Sequence, residues 1–89
     1  MKRIHAFVSG RVQGVNFRWS TKSFAERFGI TGFAKNLSDG RVEVVAEGDE
    51  KSIDSLIDFL GKGSIFSRVE RVEVKEEKFK GEFSEFFIF

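Results

Sequence analysis

An α+β sandwich, with two helices on one face of an antiparallel sheet, is the fold class this sequence predicts, and three observations predict it. Apolar residues recur at helical spacing in two places, around Phe17 to Phe28 and around Ile53 to Leu60. Elsewhere they alternate, as at Ile4, Ala6 and Val8, at Val42, Val44 and Ala46, and at Val72 and Val74. The resulting order is strand, helix, strand, strand, helix, strand, which is the βαββαβ arrangement of a ferredoxin-like sandwich.

Residues 3–9 form the first strand: Ile4, Ala6 and Val8 alternate with His5, Phe7 and Ser9, and because both sets are partly apolar the strand belongs inside the sheet. Gly10 opens a loop. From Phe17 onward, Phe17, Phe24, Ala25 and Phe28 mark one helical face, with Thr21 in the gap and Gly29 as a C-terminal stop. Residues 31–37 and 41–47 are extended and separated by Ser38, Asp39 and Gly40, and Asp-Gly at such a junction signals a hairpin. Val42, Val44 and Ala46 alternate with Arg41, Glu43 and Glu47, which predicts one covered and one wetter face. Asp49 is placed to cap a second helix whose buried stripe is Ile53, Leu56, Ile57 and Leu60, and Gly61 and Gly63 end it. Residues 68–78 alternate again, and the tail from Phe83 to Phe89 can add a short last strand.

Composition narrows the function. A chain of 89 residues, 40% hydrophobic and 33% charged, suits one globular domain spanning 1–89. Fifteen basic against 14 acidic residues leave a net charge of +1, too little for a broad nucleic-acid-binding field, so any anion site is local. The chain has no cysteine, which removes disulfides, thiolate nucleophiles and cysteine metal ligands and fits an intracellular setting. No stretch approaches the roughly 20 apolar residues of a membrane span, and the first residues lack the apolar run of a signal peptide. A cytoplasmic protein with no membrane association is expected. Its 12 phenylalanines, with no tyrosine, read as core volume.

The stretch GRVQGVNFR, residues 10–18, joins the first strand to the first helix. Backbone N–H groups at a helix start have no intrahelical partner and lie at the positive end of the dipole, so an anion such as phosphate fits there. Gly10 and Gly14 permit close backbone approach and positive φ, Asn16 suits an N-cap or a left-handed position, and Arg18 can hold two phosphate oxygens with its planar fork. Taken alone, the same residues also suit a plain tight connection with an exposed arginine.

A second stretch adds to the first. GRVQGVNFR followed by GFAKNLSDGRVEVVAEG, residues 32–48, resembles both signature motifs of the acylphosphatase family, in order and spacing, and the likeness covers nearly the whole chain. The resemblance implies hydrolysis of the carboxyl–phosphate bond of acyl phosphates, with no metal, no cofactor and no covalent intermediate. It implies that Arg18 binds the phosphate, that the backbone N–H groups of Gln13, Gly14, Val15, Asn16 and Phe17 wrap it, and that Asn36 positions the attacking water. The implied partner is a small-molecule acyl phosphate, not a nucleic acid, and a monomer is expected. The chain departs from the family pattern after the second helix, where GKGSIFSRV carries Ser64 in place of a proline.

Rival chemistry finds little support. His5, the one histidine, lies in an expected core strand and reads as packing or surface; Ser9, Ser20, Ser23 and Ser38 have no evident base; Asp39, Asp49, Asp54 and Asp58 read as turn, cap and helix-face residues. Trp19 is expected to pack at the edge of the core. A non-catalytic phosphate-binding module is the alternative function. GFAKNL also resembles part of the aromatic strand motif of RNA-recognition modules, but the neighbouring aromatics and the basic charge that mode needs are missing.

Overall fold

The computed structural model describes every residue from Met1 to Phe89. Its elements follow the expected order: β1 (Lys2–Arg11), α1 (Phe17–Arg27), β2 (Thr31–Asn36), β3 (Val42–Gly48), α2 (Glu50–Lys62), β4 (Arg68–Glu77) and β5 (Phe86–Ile88). The strands lie in the order β4-β1-β3-β2-β5. β1 runs longer than its alternation suggests because it is paired on both sides, antiparallel to β3 and to β4, and its register with β4 shifts between Ser9 and Gly10. Gly10 sits at that irregularity with φ 123°, and a Cβ there would run into the Arg68 carbonyl oxygen.

The first four strands are antiparallel to their neighbours, but β5 pairs with β2 in parallel, so the sheet is mixed. The cause is topological. β4 leaves one edge at Glu77 and β5 occupies the opposite edge, so the chain between them must cross the sheet. That crossing passes over the face opposite the helices. There Glu47, only 2% exposed, accepts hydrogen bonds from the N–H groups of Lys80 (2.8 Å), Gly81 (3.1 Å) and Glu82 (3.2 Å), and its carboxylate pairs with Arg3 at 3.1 Å. The face expected to be wetter is therefore covered at this end. Burial alone would raise the Glu47 carboxyl, but these N–H donors and the Arg3 guanidinium hold it below its ordinary value.

The core lies between the helices and the other sheet face. Ile4, Ala6 and Val8 of β1, Val42, Val44 and Ala46 of β3, and Ile53, Leu56 and Leu60 of α2 are fully buried there with Phe17 and Ala25 of α1. Asp49 caps α2 as expected, its Oδ1 accepting from the Ser52 N–H at 3.0 Å. Gly29 follows the end of α1 at φ 66°. Two aromatic expectations differ. Phe28 overhangs the helix layer, stacked on Phe24 with ring centres 4.6 Å apart. Trp19 is 58% exposed with the Lys22 ammonium 5.7 Å from its ring centre, because the first turn of α1 turns this side chain away from the sheet.

Candidate active site

The strand directions place the end of β1, the start of α1, the end of β2 and the start of β4 at one end of the sheet. The loop after β1 is anchored there at both sides by buried apolar side chains, Val12 and Phe17, each about 1% exposed. Between them the chain is polar and turns sharply. Gly14 takes φ 73° and Asn16 takes φ 66°, the only non-glycine residue with positive φ. Asn16 stands at the N-cap position but its side chain accepts no capping hydrogen bond; only its carbonyl enters the helix, accepting from the Ser20 N–H at 3.0 Å. The left-handed geometry is the role it fills.

None of the backbone N–H groups from Gln13 through Trp19 donates to an acceptor in the chain. The first N–H groups of a helix have no intrahelical partner and lie at the positive end of its dipole, so a run of free donors that continues back into the preceding loop is placed where an anion could accept from it. The residues expected to wrap a phosphate, Gln13, Gly14, Val15, Asn16 and Phe17, all fall in this run.

The loop is tied to its surroundings through side chains. Gln13 Nε2 donates to the carbonyl oxygens of Leu37 at 2.7 Å and Arg41 at 2.9 Å, joining it to the β2–β3 hairpin. On the other side Ser64 Oγ donates to the Val15 carbonyl oxygen at 3.0 Å. In the sequence Gln13 stands out only as a backbone donor and Ser64 only as an absent proline; no local pattern reveals contacts across 24 and 49 residues.

Arg18, in the first turn of α1, is half-buried and its Nη1 donates to the Phe89 main-chain oxygen at 2.6 Å. Phe89 in turn donates its N–H to the Ala34 carbonyl oxygen at 2.9 Å. Asn36 lies two residues farther along β2, on the same sheet face as buried Ala34. Arg18 and Asn36 are thus brought to the same corner of the fold. Asn36 Oδ1 is buried and makes no hydrogen bond, the one buried side-chain nitrogen or oxygen in the chain without a partner. An acceptor with no partner in the chain is open to a hydrogen from water or from a bound molecule.

The remaining titratable candidates lie elsewhere. His5 points to the opposite sheet face, with Nε2 2.6 Å from Glu43 and Nδ1 3.3 Å from Glu77. Asp39 holds Arg41 through its backbone and guanidinium, as a turn residue does. No group of three or more His, Asp or Glu side chains is gathered to hold a metal ion.

A ferredoxin-like sandwich with a donor loop at the start of its first helix, an arginine one residue inside that helix and an orphaned amide on the adjoining strand defines a small phosphate-handling protein. The comparisons narrow this class. The family model for acylphosphatase matches residues 4–88. An acylphosphatase of Methylococcus capsulatus is 49% identical over 97% of this chain and 94% of its own, and one of Caldanaerobacter subterraneus is 48% identical over 99% and 98%. The crystal structure of acylphosphatase from Bacillus subtilis superposes with a TM-score of 0.95 at 37% identity, covering 100% of this chain and 99% of that one. The chain belongs to the acylphosphatase family, whose curated members are hydrolases acting on acid anhydrides.

Proposed function

We propose that the chain hydrolyses the carboxyl–phosphate bond of acyl phosphates, with Arg18 and the N–H groups of Gln13 to Phe17 holding the phosphate and Asn36 orienting the water. The run of unpartnered N–H groups before α1 carries this reading. These dipoles are fixed before substrate arrives, so they stabilise charge on the phosphoryl oxygens without reorganisation. Arg18 enters from the first helical turn, its Nη1 held on the Phe89 main-chain oxygen, and adds positive charge beside the loop. The orphaned Asn36 Oδ1 is a ready acceptor for a water hydrogen.

Water oxygen bonds to phosphorus as the bond from phosphorus to the carboxylate oxygen breaks. The carboxylate leaves with the electron pair, and the water proton ends on the phosphate, giving carboxylate and dihydrogen phosphate. No side-chain base is needed, since the leaving group is already a weak base and the substrate's own phosphoryl oxygen takes the proton. A small-molecule substrate, action as a cytoplasmic monomer without nucleic acid, and a single domain over residues 1–89 complete the reading; the net charge of +1 supports only the absence of a nucleic-acid partner.

The test is hydrolysis of a simple aromatic acyl phosphate, followed by loss of ultraviolet absorbance with chelator present, for the wild type, Arg18→Ala and Asn36→Ala. Asn36→Ala should lower turnover by about 10²–10³-fold, the scale of losing one preorganised polar group, and Arg18→Ala by more. A wild type that binds phosphate without turnover would establish the binding-module alternative.

A further inference from the structure

We propose that Ser64 is a positioning residue for the phosphate loop, holding the Val15–Asn16 peptide in the orientation that aims the Asn16 N–H at the substrate. This rests on the reading of that loop as a phosphate cradle. The carbonyl and N–H of a trans peptide point in opposite directions, so fixing one fixes the other. Ser64 Oγ donates to the Val15 carbonyl oxygen at 3.0 Å, and this carbonyl accepts no other hydrogen bond in the chain. The Asn16 N–H, on the far side of that peptide, lies in the run of free donors.

The peptide needs an external hold because its local geometry is unfavourable. Asn16 is an L residue at φ 66° and ψ 20°. Flipping the peptide that precedes it would turn the N–H away and present the carbonyl oxygen to an incoming phosphate. Such a flip turns ψ of Val15 and φ of Asn16, and it would carry Asn16 out of the left-handed region that an L residue disfavours.

Ser64 is itself held firmly. Its carbonyl oxygen accepts from the Ser67 N–H at 3.0 Å and from Ser67 Oγ at 2.8 Å, closing a turn directly after α2. Gly63, at φ 75°, starts this turn where a Cβ would meet the Ser67 hydroxyl and Val69. A proline at position 64 has no hydroxyl and cannot make the bond. In this chain, a hydroxyl on a fixed turn supplies the hold.

The experiment compares the wild type with Ser64→Ala and Ser64→Thr in two measurements: acyl phosphate kinetics, and binding of inorganic phosphate by titration calorimetry. Loss of one neutral hydrogen bond predicts that Ser64→Ala raises KM and the phosphate dissociation constant together by about five-fold, with kcat changed less, and that threonine restores both. Thermal melting should confirm that both variants are folded. Ser64→Ala with wild-type phosphate affinity and KM would overturn the inference, as would a threonine that restores melting but not affinity. The calorimetric arm needs no turnover. A wild type that binds phosphate tightly but hydrolyses nothing would refute the proposed activity and still decide the part played by Ser64; a wild type that binds no phosphate would overturn the cradle and this inference together.

Discussion

Replacing Gln13 by alanine removes two hydrogen bonds at once, to Leu37 and Arg41 at 2.7 and 2.9 Å, and with them the side-chain tie between the phosphate loop and the hairpin that bears Asn36. Each neutral bond contributes about 1 kcal/mol net, so the pair holds loop and hairpin together by at most about 2 kcal/mol. If all of that is used to keep the two halves of the site in register, kcat/KM falls by about 30-fold. Water will partly replace the amide at these half-buried carbonyls, so the expected fall for Gln13→Ala lies between about 5- and 30-fold. Gln13→Glu should be worse although it is nearly isosteric, because it sets an ionised carboxylate against two carbonyl oxygens that had donors. Hydrolysis of an aromatic acyl phosphate, with thermal melting of each variant alongside, gives the comparison. If Gln13→Ala keeps its kcat/KM within two-fold of the wild type, or if the glutamate variant matches the alanine one, the bridge does not set the site geometry.

Two further predictions concern the opposite end of the sheet. Glu47→Ala leaves the buried Arg3 without its nearest carboxylate on β3 and strips the acceptor from three backbone N–H groups, so it should destabilise the fold by about 3 kcal/mol in urea unfolding, the lower end for a broken buried pair because Arg3 keeps Glu77 and Glu82. Stability should also fall on the acid side: Glu47 is held below its ordinary value by backbone donors and Arg3 against the opposing effect of burial, and Glu77 by Arg3 and then His5. Groups with lowered folded-state values stabilise the protein above the unfolded value, about 4.3 for glutamate, and lose that contribution as pH drops through the folded value. The unfolding midpoint should therefore be level near neutrality and decline below about pH 4.5, with wild type and Glu47→Ala converging there; parallel curves would show that Glu47 is not part of the acid response.

How much of this was legible beforehand follows from what periodicity can carry. The alternation of Ile4, Ala6 and Val8 and the stripe of Ile53, Leu56 and Leu60 report which side of an element is apolar, and those residues are fully buried. Glu47 alternates like a solvent-facing residue, yet it is buried, because alternation cannot register that residues 78–85 cross over that face. The parallel direction of β5 was hidden for the same reason. In the site, Gly14, Asn16 and Arg18 announce themselves through local backbone demands and charge. The side chains of Gln13 and Ser64 do not, since glutamine and serine suit almost any surface loop and their partners lie far along the chain.

That distance has a consequence for the order of events in folding. The cradle spans only a few residues, but it is steadied by partners 24, 49 and 71 positions away, at Leu37, Ser64 and Phe89. Contacts of such separation carry a substantial loop-closure cost, and these also need β4 and β5 already in place, because Ser64 and Phe89 flank those strands. Helix α1 can be present, and most apolar surface already collapsed, while the loop before it is still unshaped. Regain of catalysis in a refolding mixture therefore marks completion of the whole topology, lagging behind the recovery of helical signal, and the enzyme carries in its own turnover a clock for the last step of its assembly.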